Sequence, residues 1–192
     1  MDKAQEEIEF WVNEVGPSGW YQGSDELDQE IRDRFGADWE KAKAGKYDSW
    51  GWCPDKSLAL LILLDQFPRN MFRGDKQAFS TDKKAREVAN HAIEHGYDKR
   101  CAEPQRQFYY LPFMHSECLT HQERCVRLIK KRMIEGEGGN LLHAKVHREV
   151  IRKFGRFPYR NVALGRRSTS LEEQFMDNGG YQKMTQDIQA AA

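Results

Sequence analysis

Two arginine-rich corners about ninety residues apart carry the residue types in this chain best suited to chemistry. The first reads Asp65-Gln66-Phe67-Pro68-Arg69-Asn70 and is followed by Arg73-Gly74. The second reads Phe154-Gly155-Arg156-Phe157-Pro158-Tyr159-Arg160-Asn161 and is followed by Gly165-Arg166-Arg167. Proline has no N–H for a helix interior and pushes the preceding residue away from helical geometry, so each copy reads as the end of an apolar helix. Arginines just past a helix end can turn inward, where a guanidinium grips planar anions through paired hydrogen bonds. Together the corners predict a pocket for a phosphate- or carboxylate-bearing molecule, with Arg69 and Arg160 as the clamp. Asp65 would orient the arginines, Gln66 and Asn161 the ligand, and Asn70, Arg73, Arg156 and Arg166 complete the set. Phe67, Tyr110 and Phe157 would form aromatic walls.

The histidines supply the proton chemistry. His115 follows an aromatic run and precedes Ser116-Glu117. Ser116 is expected to cap the next helix and Glu117 to favour its positive end. That leaves His115, which titrates near neutrality, as the proton-transfer candidate. Glu117 and His147 join the ligand-binding set. His143 and His147 share a helix face, but Ala144-Lys145-Val146 between them lacks the glutamate of a zinc-protease helix, so no metal is expected. Cys118 and Cys125 have no spacing that specifies a base beside a nucleophile. A purely structural reading stands beside this one: Asp65 pairs with an arginine, Asn70 satisfies helix carbonyls, and Arg148, Arg152 and Arg156 form a solvated row.

Formal net charge is zero, although residues 1–66 hold 15 acidic against 7 basic side chains and residues 124–167 hold 13 basic against 3 acidic. The halves either neutralise each other or present a positive surface that steers an anion inward. Nucleic-acid signatures are missing, so such a partner is not expected. Four cysteines without CxxC spacing and a charged N-terminus indicate reduced thiols in a cytoplasmic protein. The apolar run at 58–64 is far shorter than the roughly 20 residues that span a bilayer.

Positioning these groups falls to helices. Ile8, Phe10, Trp11 and Val15 mark a first helix, stopped at Gly16-Pro17. Ser24 caps a second, with Leu27, Ile31 and Phe35 inward and Gly36 as its end; Trp39 and Ala42 suggest a short third. Pro54 opens a fourth that is apolar nearly all round and should centre the core. Thr81-Asp82 starts a fifth with Ala85, Val88, Ala89, Ala92 and Ile93 buried. After an aromatic segment at 105–114, Ser116 opens a helix to about Ile134. A glycine-rich connection at 136–139 leads to another over 140–154, and Ser170-Leu171-Glu172-Glu173 reads as a capping box. The expectation is an all-α fold of stacked antiparallel helix pairs, one domain over 1–182 with a frayed tail at 183–192.

The literal strings resemble the bacterial family known as domain of unknown function 924. They include Phe35-Gly36, Leu63-Leu64-Asp65-Gln66-Phe67-Pro68-Arg69-Asn70, Phe72-Arg73-Gly74, Tyr110-Leu111-Pro112-Phe113-Met114-His115-Ser116-Glu117, Gln122, His147, Phe154-Gly155-Arg156-Phe157-Pro158, Arg160-Asn161, Leu164-Gly165-Arg166 and Ser168-Thr169. The resemblance implies a tetratricopeptide-like right-handed helical array and no assigned reaction or cofactor. Tyr159 stands where the family string more often has His, which weakens a mechanism needing histidine there. Three functions stay open: a small-anion site, an interaction module holding an acidic or C-terminal peptide, and corners that are purely structural.

Overall fold

The computed structural model describes residues 2–133 and 139–191. Among them there is no strand, so the all-α expectation holds. The chain divides into two compact units, Met1–Pro112 and Phe113–Ala192. No helix among the described residues is long and apolar enough to cross a membrane.

In the first unit, α1 (Lys3–Ile8) widens into a π-helical turn, Glu9–Val15, and the short α2 (Gly16–Gly19) follows. Ser24 accepts the Leu27 N–H at 3.1 Å and caps α3, which runs unbroken over Asp25–Lys43. Gly36 does not end it. A lone glycine lowers helix propensity by only about 1 kcal/mol, and fully buried Phe35 and Trp39 on either side outweigh that.

Pro54 opens α4 (Pro54–Leu61) as expected. The helix then widens to a π turn, Ile62–Gln66, and continues as α5 (Phe67–Met71). The first Phe-Pro corner therefore does not stop its helix. Pro68 has no N–H to offer the preceding turn, and side chains satisfy the carbonyls instead: Thr81 Oγ1 donates to the Leu64 oxygen at 2.6 Å, and Arg69 to that of Asp65 at 2.8 Å. Phe67 packs on Phe35, Trp11 and Phe10 at ring separations of 4.9, 5.5 and 6.1 Å. α6 (Asp82–Glu94) buries Ala85, Ala89, Ala92 and Ile93 and stops before left-handed Gly96.

The boundary between the units falls within α7 (Leu111–Met114). In the second unit, α8 (Leu119–Arg132) packs along α9 (Asn140–Phe154). The expected end of α8 near Ile134 and most of the connection at 136–139 lie outside the described residues. Gly155, at φ +70°, ends α9. Thr169 and Glu172, one position earlier than the sequence suggested, close the capping box of α10 (Ser170–Asp177). The tail expected to fray is instead the body of α11 (Gly180–Ala190), which packs on α9 through Tyr181 and Met184. Val150, Ile151, Phe157 and Phe175 form the apolar centre of this unit.

Candidate functional site

Each polar group of the first corner meets a partner inside the first unit. The Arg69 guanidinium reaches Asp82 Oδ1 at 2.9 and 3.0 Å and lies 3.6 Å from Asp65. Buried Asp65 also accepts from the Gln66 amide at 2.5 Å. The Asn70 amide donates to the Gln66 carbonyl at 3.3 Å, and Arg73 forks onto Asp28 with two 2.9 Å bonds. Phe67 and Tyr110, expected as pocket walls, are fully buried in this unit.

The second corner begins the same way. Arg156 forks onto Glu172 at 2.6 and 2.7 Å, closing the loop back onto α10. Arg166 forks onto Glu117 at 2.7 and 2.9 Å, donates to the Asn161 amide oxygen at 3.0 Å, and reaches the Phe157 carbonyl at 3.2 Å. Glu117 also accepts the Phe157 N–H at 2.8 Å. Buried Asn161 donates to Ser168 at 3.1 Å. Glu117 is thus a brace for the corner, not a helix-dipole partner for α8. Burial pushes its carboxyl up, but the bonds from Arg166 and Phe157 and the charges of Arg166 and Arg160 outweigh that and hold it below the ordinary value.

This brace fixes Phe157 and Arg160. Arg160 is buried and sets its guanidinium 4.4 Å from the Phe157 ring centre. The His147 ring from α9 meets the same phenylalanine edge-on at 5.4 Å, and the His115 ring lies 6.5 Å from His147. Tyr181 of α11 lies 3.1 Å from His147 Nδ1 and 2.7 Å from His143 Nδ1, and half-exposed Tyr159 stacks on Phe157 at 5.3 Å. His147 and Arg160 therefore meet on the Phe157 ring, with His115 beside His147, although the three are distant in sequence.

Ser116 does not cap α8; its hydroxyl lies 2.8 Å from His121 Nδ1, and the helix starts after Cys118. Gln122 holds the turn that carries His115. Its fully buried amide nitrogen donates to the carbonyls of Met114 and Ser116, each at 2.7 Å. These two bonds hold the carbonyls on either side of His115 and so fix the turn that carries it.

Burial, joined by the charges of His115, Arg160 and His143, lowers the His147 pKa to about 3 against the help of the His143 carbonyl. His143 is lowered by burial as well, and burial raises the Tyr181 hydroxyl. The cluster thus gathers the Arg160 guanidinium and an imidazole whose charged form burial disfavours. Sequence reasoning missed His143 as an anchor and Tyr181 altogether; Tyr181 sat next to the presumed tail and carried no motif. Among the described residues, no three His, Cys, Asp or Glu side chains gather as a metal site. A groove of about 420 Å³ is lined by Leu171, Phe175, Met184 and Ile188 together with the charged Glu149, Lys153, Lys183 and Asp187.

The chain belongs to a family of bacterial proteins of unknown function, DUF924, whose model matches residues 8–180. It is similar to the solved structure of a protein of unknown function, ATU0120, from Agrobacterium tumefaciens, at 39% identity and a TM-score of 0.85 over 91% of this chain and 97% of that one. No curated protein matches the chain.

Proposed function

We propose that this DUF924 protein binds a small anionic molecule, bearing phosphate or carboxylate, in its second unit. The observation that carries the reading is that Arg160 and His147 both meet the Phe157 ring, with the His115 ring 6.5 Å from His147. Arg160 is the anion clamp, His147 and His115 complete the basic surround, and Tyr159 and Tyr181 form the aromatic flank. Glu117, Asn161 and Arg166 are positioning residues: they brace the loop on which Arg160 sits. Asp65, Gln66, Arg69, Asn70, Arg73 and Arg156 lock helix corners, since their polar heads meet carboxylates and carbonyls of their own unit. His115 is the group placed for proton transfer should the ligand react.

A thermal-shift screen of phosphorylated and carboxylated metabolites, with Arg160→Ala alongside, tests this. A ligand at a hundred times its dissociation constant stabilises by about 2.7 kcal/mol, or about 5–10 °C for a chain of this length. A shift of that order, lost in the variant, is the expected result; no shift with any compound refutes the site. The second reading, a module for an acidic or C-terminal peptide, takes its support from the groove beside Leu171, which is 66% exposed next to the buried Phe175. Binding of an acidic peptide that survives Arg160→Ala and is lost in Leu171→Asp would select it.

A further inference from the structure

The groove lined by α9, α10 and α11 carries polar groups that the surroundings of Phe157 do not use. Three of its charged side chains are matched. Glu149 accepts from Arg148 at 3.1 Å and from Arg152 at 2.9 Å, and Lys183 pairs with Asp187. Lys153 is different: among the described residues no carboxylate or carbonyl engages its ammonium donors, which sit 5.2 Å from the Phe154 ring centre and 5.9 Å from that of Phe175. The groove therefore holds one unmatched positive charge and no unmatched negative one.

Its neutral groups add a second pattern. Gln174 on α10 and Asn178 at the end of that helix are four residues apart and share a face, and neither side-chain amide has a partner among the described residues. Each such amide offers two donors and a carbonyl, which complement the C=O and N–H of a peptide unit. Exposed Leu171 and the pair Met184 and Ile188, four apart on α11, supply an apolar lining. The volume of about 420 Å³ lies within the range of sites that enclose a ligand.

Resting on the groove reading, and independent of Arg160, we infer that the groove takes the free C-terminal end of a partner peptide whose last residue is apolar. The terminal carboxylate pairs with Lys153, the last side chain packs among Leu171, Met184 and Ile188, and Gln174 and Asn178 pair with the peptide backbone. A run of acidic residues fits less well, because it brings further negative charge to Glu149 and Asp187. A fatty-acid chain would leave both amides unused.

The probes are N-acetylated hexapeptides of Ala and Ser ending in Leu, one a free acid and one a C-terminal amide, titrated into the ¹⁵N-labelled full chain and read by NMR. The free acid should shift the backbone signals of Leu171, Gln174, Met184 and Ile188 saturably, and Leu171→Asp should remove that response. Amidation and Lys153→Met should each weaken binding about fivefold, as for an exposed lysine–carboxylate pair, and the two together no more than either alone. Equal affinity for acid and amide, or Lys153→Met binding the acid as the wild type does, overturns the inference and leaves the groove as a peptide site. Tighter binding of an amidated oligoglutamate also overturns it, in favour of an acidic peptide, and octanoate binding as tightly as the free acid overturns it in favour of a lipid. No saturable shift at these residues with any probe removes the groove reading itself.

Discussion

Glu7 offers a sharp test of how burial governs this fold. Its side chain is fully buried on α1, and neither carboxyl oxygen has a hydrogen-bond partner among the described residues. Burial, then repulsion from Asp38, raises its pKa from 4.5 to about 9; Glu6 and Asp2 add to the rise and Lys3 opposes it. Asp38 is already occupied, accepting from Tyr47 at 2.6 Å and from Lys41 and lying 3.1 Å from Lys3. Folding therefore keeps a proton on Glu7 through the neutral range. A folded-state pKa above the unfolded one contributes stability that is complete below pH 4.5 and is lost as pH rises toward 9. Inside that window each pH unit is worth about 1.4 kcal/mol, so going from about pH 5.5 to about pH 8 removes roughly 3 kcal/mol. Glu7→Gln cannot ionise and escapes the loss. Urea denaturation of both proteins at the two pH values should show the variant gaining roughly 3 kcal/mol on the wild type between them. Parallel pH curves for the two proteins would refute the assignment of a buried, protonated Glu7.

Thr81→Val strands the Leu64 carbonyl beside Pro68 and should lower unfolding free energy by about 1–2 kcal/mol in denaturant titration. Glu117→Ala removes the acceptor of the Arg166 fork and of the Phe157 N–H, costing about 2–3 kcal/mol and also weakening any ligand-induced thermal shift that depends on Arg160. Gly155→Ala places a side chain at φ +70° with open space around the new Cβ, so backbone conformation alone sets the cost, about 1 kcal/mol by thermal or chemical melting.

Periodicity and caps made most of the fold legible. The apolar spacing of α9, the proline that opens α4, the Ser24 cap and the alanine stripe of α6 all follow from local chemistry that tertiary packing did not override. Gly36 misled because its breaking tendency is small beside the burial of Phe35 and Trp39. Pro68 misled because a π turn and the Thr81 hydroxyl, seventeen residues from the carbonyl it satisfies, let the helix pass through it. Ser116 looked like a cap, but its hydroxyl meets His121 and its carbonyl the Gln122 amide, partners that local sequence rules do not anticipate. Tyr181 could not be found from sequence, since its link to His143 and His147 exists only once α11 packs on α9.

The two corners share their words but not their work, and the difference lies in what surrounds each arginine. In the first, Arg69 and Arg73 face Asp82, Asp65 and Asp28, so negative charge is already matched. In the second, Arg156 and Arg166 face Glu172 and Glu117 in the same manner. Arg160 sits instead against an aromatic ring that a neutral histidine also touches, within the field of a second histidine's ring. The forks act as braces for this loop: Glu117 accepts the Phe157 N–H and Arg166 donates to the Phe157 carbonyl, so the pair fixes the residue from both sides. The repeated motif is thus a device for locking helix corners, and its second copy carries one further arginine, Arg160, onto the ring of Phe157.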